Sequence, residues 1–193
     1  MSNSMERLID FFVQILNIPF PLSERIVDFF DVQVLERGEY LTKEGKYCQR
    51  MCVIDEGYLR FYTHSEKKVV THWIFGRQQL VTDISSFFLN TPSKWNIPAI
   101  SKTTLFSISH DRYQVMKRKV PEWNQFEMIF IVKLMSALEN RIYTLISMSA
   151  EERYRHLLEE NTDILNELPL QYIASMIGTT PETLSRIRRK LIS

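Results

Sequence analysis

The sequence has few of the residues that build metal sites and disulfide frameworks. Its 193 residues include two cysteines, Cys48 and Cys52, and four scattered histidines. Two thiolates cannot hold a structural zinc ion or an iron–sulfur cluster by themselves, and no H-x-H or H-E-x-x-H spacing supplies further ligands. We therefore expect reduced packing thiols, no metal, no cofactor and no enzymatic activity.

Long apolar runs and a strong net charge are also missing. No segment reaches the ~18 apolar residues that cross a bilayer, and the first residues lack the basic start and apolar stretch of a signal peptide. We expect a cytoplasmic protein without a membrane partner. Met5 is an alternative start to Met1, and the sequence leaves open whether residues 1–4 are native. The net charge of +1 gives the chain as a whole no attraction for polyanions.

Charge is nevertheless distributed unevenly near the end of the chain. From Glu151 to Glu167 six acids accompany two arginines, whereas from Leu168 to Ser193 four bases accompany a single acid, Glu182. A basic terminal segment is a footprint of nucleic-acid binding, although many charge runs are only solvated helix faces. The local pattern has to decide between these interpretations.

The hydrophobic pattern divides the chain into a helical, a strand-rich and a second helical part. Residues 5–16 and about 23–30 have helical spacing, and Ser23 is the expected N-cap of the second helix. Residues 32–109 contain short alternating runs of β-branched and aromatic residues separated by glycines. Such runs predict a compact antiparallel roll or jelly roll within an α+β fold.

A long helix is predicted after the strands. Residues 121–148 contain no glycine and no proline after Pro121, and their apolar residues recur every three or four positions. About 28 residues make a helix of about 42 Å, which is more than a small roll covers. The same helix of a second subunit would bury the remainder, and a core helix of a monomer is the alternative. The predicted dimer contacts are Phe126, Phe130, Leu134, Leu138, Ile142 and Leu145.

The terminal segment predicts a helix-turn-helix. A short amphipathic helix ends at Gly178, which can adopt the left-handed backbone of a tight turn. Thr179 or Thr180 can cap the second helix, and Pro181 suits its first turn. The expected buried face of this helix consists of Leu184, Ile187 and Leu191.

The buried face determines which side chains of the last helix point outward. Glu182 and Arg186 lie near its N-terminus, where a guanidinium can pair with guanine and a carboxylate can accept from cytosine. Glu182 is alternatively a capping-box partner of Thr179, and the basic residues alternatively favour the C-terminal helix dipole. The cap threonines and the remaining cations suit phosphate contacts. The predicted DNA-binding residues are Thr179, Thr180, Glu182, Thr183, Ser185, Arg186, Arg188, Arg189 and Lys190.

This layout resembles the Crp/Fnr superfamily of bacterial transcription regulators, which have a β-roll, a long helix and a C-terminal (winged) helix-turn-helix domain. The most specific stretch is IASMIGTTPETLSRIRRKL, in which ETLSR is similar to the E-x-x-S-R recognition element of the Fnr-type branch. The resemblance implies base contacts by Glu182, Ser185 and Arg186 in each half of an inverted repeat. Pro181 stands where several members have a basic residue. RNA polymerase is a further partner that the resemblance suggests.

The resemblance is weaker at the effector site. Cyclic-nucleotide-binding members have G-E followed by R-[ST]-A, whose arginine neutralises the cyclic phosphate. In this sequence Thr82 and Asp83 occupy the positions of G-E, and Ser93 and Lys94 lie close to the position of the arginine motif. Lys94 is a point charge without the fork of a guanidinium. These four residues are the predicted effector site, and the expected effector is an unidentified small molecule other than cyclic AMP.

The sequence therefore predicts a homodimeric, sequence-specific regulator that binds double-stranded DNA. Its expected parts are a β-roll sensor domain with N-terminal helices (1–120), a dimerisation helix (121–148) and a helix-turn-helix domain (149–193), whose start is marked by a capping box at Ser149 and Glu152. One alternative is a constitutive DNA-binding dimer whose ligand-free roll serves protein interaction. The other is a cupin-like enzyme, which the absence of clustered histidine and glutamate disfavours.

Overall fold

The computed structural model describes residues 3–66, 68–160 and 167–192. None of the described helices is long and apolar enough to span a bilayer. The chain divides into two compact units, here called the first and the second unit. They consist of Met1–Phe61 with Ile74–Val132, and of Tyr62–Trp73 with Lys133–Ser193.

The strands follow one another as predicted for an antiparallel roll. The largest sheet has the order β1-β8-β3-β6, and smaller sheets pair β2 with β7 and β4 with β5. β1 and β3 both pair antiparallel with β8. The strands are β1 (Asp31–Leu35), β2 (Tyr40–Thr42), β3 (Arg50–Glu56), β4 (Leu59–Ser65), β5 (Lys68–Phe75), β6 (Leu80–Val81), β7 (Ile97–Pro98) and β8 (Thr103–Ser109).

Side chains of the largest sheet alternate between two cores. Met51 and Val53 of β3 pack in the core that contains the N-terminal helices, whereas Cys52 and Ile54 face the interior of the roll. The buried members of the second core, here called the roll cluster, are Leu35, Cys52, Ile54, Leu59, Val81, Ile97, Ala99 and Leu105. Cys48 and Cys52 are buried free thiols, and burial raises the pKa of Cys52 to about 12, so it remains a protonated packing residue.

Four helices complete the first unit together with the start of a fifth. They are α1 (Asn3–Leu16), α2 (Phe20–Val27), α3 (Ile84–Leu89) and α4 (His110–Lys119), followed by α5 (Trp123–Ser147). The expected N-cap role of Ser23 is wrong, because α2 begins after Pro19 and Ser23 lies inside it. The buried Ser23 hydroxyl donates instead to the backbone oxygen of Pro19, at 3.3 Å.

The described residues of the second unit contain the rest of α5 and three further helices, α6 (Ala150–Glu160), α7 (Leu170–Met176) and α8 (Pro181–Ile192). The predicted capping box before α6 is confirmed: Ser149 N donates to Glu152 Oε2 at 2.7 Å, and Glu152 N donates to Ser149 Oγ at 3.3 Å. No strand occurs in residues 110–160 and 167–192, so a wing has no counterpart among them.

Candidate nucleic-acid interface and effector site

α7 and α8 are joined by a tight turn. Gly178 has a φ of +69°, the left-handed conformation that the sequence predicts at this position. Thr179 N donates to Ala174 O at 2.9 Å and closes the turn. Thr180 rather than Thr179 caps α8, because its Oγ1 accepts from Thr183 N at 3.3 Å. This arrangement is a helix-turn-helix.

The last helix has the predicted division between its two faces. Leu184 and Ile187 are buried, at 0% and 8% exposure, and Leu191 is partly buried. Four of the predicted DNA-binding side chains of α8 are exposed and three are partly exposed. The exposed ones are Glu182, Arg186, Arg189 and Lys190, and the partly exposed ones are Thr183, Ser185 and Arg188.

The carboxylate of Glu182 is held ionised at the start of α8. A hydrogen bond from its own backbone N–H, with a further contribution from the Thr180 hydroxyl, lowers the pKa of Glu182. The helix N-terminus also favours a negative charge at this position. Capping and base recognition are compatible, because a carboxylate has several acceptor positions.

Lys190 has a partner on another helix. Its Nζ lies 2.8 Å from Glu151 Oε2 on α6, and Arg155 Nη2 lies 3.0 Å from the other carboxylate oxygen. These two cations, Lys190 foremost, lower the pKa of Glu151. Lys190 therefore connects α8 to α6 in addition to its predicted role toward phosphate.

Two arginines that the sequence pattern did not single out hold the C-terminal end of α7. Arg141 Nη2 donates to Met176 O at 2.5 Å, and Arg153 Nε donates to Ile177 O at 2.7 Å. The last carbonyls of a helix lack partners within it, so these bonds satisfy atoms that would otherwise need water. The Arg141 guanidinium also lies 5.0 Å from the centre of the Trp73 ring.

The hairpin formed by β4 and β5 contacts α7 as well. Thr71 N donates to Ser175 Oγ at 2.9 Å, and Ser175 Oγ donates to Val69 O at 3.4 Å. All of these residues belong to the second unit. The position of α7 is therefore determined by α5, α6 and the hairpin together.

The predicted dimer contacts at the start of α5 are partly wrong. Phe126 is 6% exposed and packs in the core of the first unit, and Phe130 is partly buried against the same core. This end of α5 is anchored because Trp123 Nε1 donates to the Tyr113 hydroxyl at 3.0 Å, and Tyr113 in turn bonds Glu127. Leu134 is partly buried.

Six of the ten exposed large apolar residues of α5 follow a different, regular spacing. They recur at alternating intervals of three and four residues, which is the heptad spacing of a coiled coil. Leu138, Ile142 and Leu145 of the predicted set belong to this row, at 47%, 57% and 41% exposure. We call the whole row the α5 seam; it consists of Met128, Ile131, Met135, Leu138, Ile142 and Leu145.

The four predicted effector residues are found in different environments. Thr82 is buried and its Oγ1 donates to Arg50 O at 2.9 Å. Asp83 is buried at the N-cap of α3, where it accepts from Ser86 N at 3.1 Å. Ser93 Oγ donates to Trp95 O at 3.0 Å and accepts from Trp95 N at 3.1 Å, whereas Lys94 is exposed. The residues at the arginine motif therefore present no cation to the roll interior.

This architecture is similar to that of known proteins. Residues 32–119 match the family model of the cyclic nucleotide-binding domain. The c-di-GMP responsive global regulator CLP of Xanthomonas campestris has a similar structure, with 13% identity, 90% of this chain and 91% of that chain covered, and a TM-score of 0.68. The catabolite activator protein of Thermus thermophilus is 18% identical, with 89% and 83% covered and a TM-score of 0.55.

A protein from Eubacterium rectale described as a transcriptional regulator of the Crp/Fnr family is 17% identical, with 94% of this chain and 87% of that chain covered and a TM-score of 0.68. No curated protein matches the sequence. The roll is thus of the cyclic nucleotide-binding type. Together with the helices that follow, it gives the chain a fold similar to that of these solved structures.

Proposed function

We propose that the chain is a homodimeric transcription regulator that binds an inverted-repeat DNA site through α8. The observation that carries this proposal is the division of α8 into a buried aliphatic face and an exposed face with Glu182 and Arg186 in its first turns. In a helix-turn-helix, these first turns of the second helix meet base edges in the major groove.

The exposed chemistry of α8 suits sequence reading better than charge attraction alone. Arg186 can donate two parallel hydrogen bonds to guanine O6 and N7, and the ionised Glu182 can accept from cytosine N4. A carboxylate at the interface would be unfavourable for purely electrostatic binding, since it repels phosphates. Arg188 and Arg189 suit phosphate contacts that position the helix without reading sequence.

The α5 seam supports a twofold dimer. Its six residues are between 36% and 60% exposed in the single chain. Heptad spacing directs such a row toward the same row of a parallel partner helix, where knobs-into-holes packing buries it. A twofold axis along α5 would present two copies of α8, which fits an inverted repeat.

The similar proteins support the regulatory role. CLP is a global regulator described as c-di-GMP responsive, and the protein of Thermus thermophilus is a catabolite activator. We extend to this chain a regulation by a small molecule, which would act by binding two dimer states with different affinity. Cyclic AMP is a poor candidate, because Ser93 and Lys94 do not offer a guanidinium to a cyclic phosphate.

Selection of bound DNA from a random pool tests the proposal. We expect enrichment of an inverted repeat whose half-sites lie about one helical turn apart. Arg186→Ala, selected in parallel, should lose the preference at one position of each half-site while still binding DNA. A pool without any enriched motif, or with a motif that lacks twofold symmetry, would contradict the proposal.

A further inference from the structure

Three buried side-chain polar atoms have no hydrogen-bond partner among the described residues. One is Gln33 Oε1 on β1, and the other two, Asp83 Oδ2 and Thr42 Oγ1, belong to residues that adjoin the roll cluster. Asp83 is 2% exposed and Thr42 is 5% exposed, so bulk water does not reach them freely. A buried polar group without a partner destabilises a folded protein, and native structures retain few of them.

The strand register places Thr42 on the face of the roll cluster, and backbone alternation beyond β6 places Asp83 on the same face. Thr42 stands opposite Ile97 in the antiparallel register, and residues opposite each other project to the same face of a sheet. Val81 faces the cluster opposite Cys52. The backbone is still extended at Asp83, with φ −83° and ψ 104°, so the side chain of Asp83 returns to the face of Val81.

Aromatic side chains line the margin of the same cluster. Phe61 and Trp95 have ring centres 4.9 Å apart with an angle of 36° between their planes, and Phe75 meets Phe61 edge to face at 6.0 Å. All three rings are only partly buried. They provide a flat apolar surface on which another ring can stack.

The residues at the arginine motif do not supply the cation of this region, which is instead Arg50. Lys94 is exposed, and Ser93 Oγ bonds the backbone of Trp95. Arg50, which shares the Cys52 face of β3, donates to Ser107 Oγ at 3.0 Å. The group without a partner is a carboxylate oxygen of Asp83, which can accept a hydrogen bond from a donor.

We infer that the roll interior binds a small, non-anionic molecule that combines a flat apolar ring with an ammonium or hydroxyl group. The donor group bonds Asp83 Oδ2, Thr42 Oγ1 supplies a second polar contact, and the ring stacks on Phe61 and Trp95. Cyclic nucleotides are outside this class because they are anions. The inference rests on the proposed function only where it treats the ligand as a regulator of DNA binding. Ligand binding itself is measured without DNA.

Matched small probes test the ligand class on the full-length protein. The probes are phenethylamine, 2-phenylethanol, 3-phenylpropionate and cyclic AMP, followed by calorimetry and by tryptophan fluorescence. Phenethylamine should bind with a Kd of about 1 mM, as expected for a ligand of this size, and 2-phenylethanol more weakly. The two anions should not bind measurably over the same range.

Two variants locate the site. Asp83→Asn keeps an equally good N-cap for α3 and should weaken phenethylamine binding about tenfold or more, because a charge-assisted bond becomes neutral. Trp95→Phe removes the reporter and should abolish the fluorescence change while calorimetric binding persists. Asn140→Asp, on exposed α5, is the control and should leave binding unchanged.

Three results would overturn the inference. These are tighter binding of cyclic AMP or 3-phenylpropionate than of phenethylamine, equal binding by Asp83→Asn and the parent protein, and no binding of any probe. The last result would favour a roll filled by its own side chains, as in the constitutive regulator. If the same protein still enriches an inverted repeat, the ligand inference fails while the proposed DNA binding is retained.

Discussion

The α5 seam gives the most direct test of the proposed dimer. Leu138 and Ile142 are about half exposed in the single chain, at 47% and 57%. Complete burial of such a side chain stabilises by ~1.5–3 kcal/mol, so burial of the exposed half contributes about 1 kcal/mol. Each residue occurs twice in a twofold dimer, which makes the joint contribution of the two positions roughly 4 kcal/mol.

Replacing both residues by aspartate removes this contribution and places like charges at the interface. We expect Leu138→Asp with Ile142→Asp to weaken dimerisation by a factor of about a thousand or more. Sedimentation velocity over a range of protein concentrations measures the dissociation constant. Asn140→Asp adds the same charge at an exposed position outside the seam and should leave the constant within about threefold.

Circular dichroism separates loss of dimerisation from loss of folding. The double variant should keep its helix and strand content, because both side chains are exposed rather than part of a core. A double variant that dimerises as tightly as the parent protein would show that the seam is not the interface. A parent protein that is monomeric at all concentrations would refute the dimer itself.

Further substitutions test the other parts of the structure. Arg186→Ala should lose about 1–3 kcal/mol of binding free energy on the preferred DNA site and relax specificity, whereas Lys190→Ala should weaken binding to all DNA sequences similarly and flatten its salt dependence. DNA titrations at several salt concentrations measure both effects. Identical behaviour of the two variants would contradict the separate roles of base contact and phosphate contact. Arg141→Met should lower the free energy of unfolding by about 2 kcal/mol, because it removes a charged hydrogen bond to Met176 O and a contact with the Trp73 ring. Urea denaturation measures this change, and an unchanged midpoint would contradict the stabilising role of Arg141. Gly57→Ala should destabilise the protein more than Gly38→Ala does. A Cβ at Gly57 would lie 2.4 Å from Lys102 O, whereas a Cβ at Gly38 would have no atom within 4 Å. Equal urea midpoints of the two variants would contradict this prediction.

The elements with a strong local pattern could be predicted from the sequence. The alternation along β3 and β8 shows which residues face a core, and the glycine and proline around α8 fix its start. The capping box at Ser149 is likewise a local signal, because both partners lie within one helical turn. Periodicity and capping depend on neighbouring residues and are visible in the sequence alone.

The dimer surface could be predicted only in part, because α5 is apolar on more than one side. Phe126 and Leu138 both fit a helical repeat, yet Phe126 packs in the first unit and Leu138 is exposed. The difference arises from tertiary contacts, since Trp123 bonds the Tyr113 hydroxyl and turns this end of the helix inward. A helical pattern identifies apolar residues without stating which of them the protein covers itself.

The residues that position α7 illustrate a stronger limit. Arg141 and Met176 are 35 residues apart, and Thr71 and Ser175 are 104 residues apart, so no local pattern connects them. These contacts set the position of α7 and, through the turn at Gly178, that of α8. A substitution at Ser175 or Arg141 should therefore change the affinity for all DNA sequences together, because it shifts the whole reading helix. A substitution at Arg186 should instead remove one proposed base contact, so the DNA sites selected by the two kinds of variant should differ in different ways.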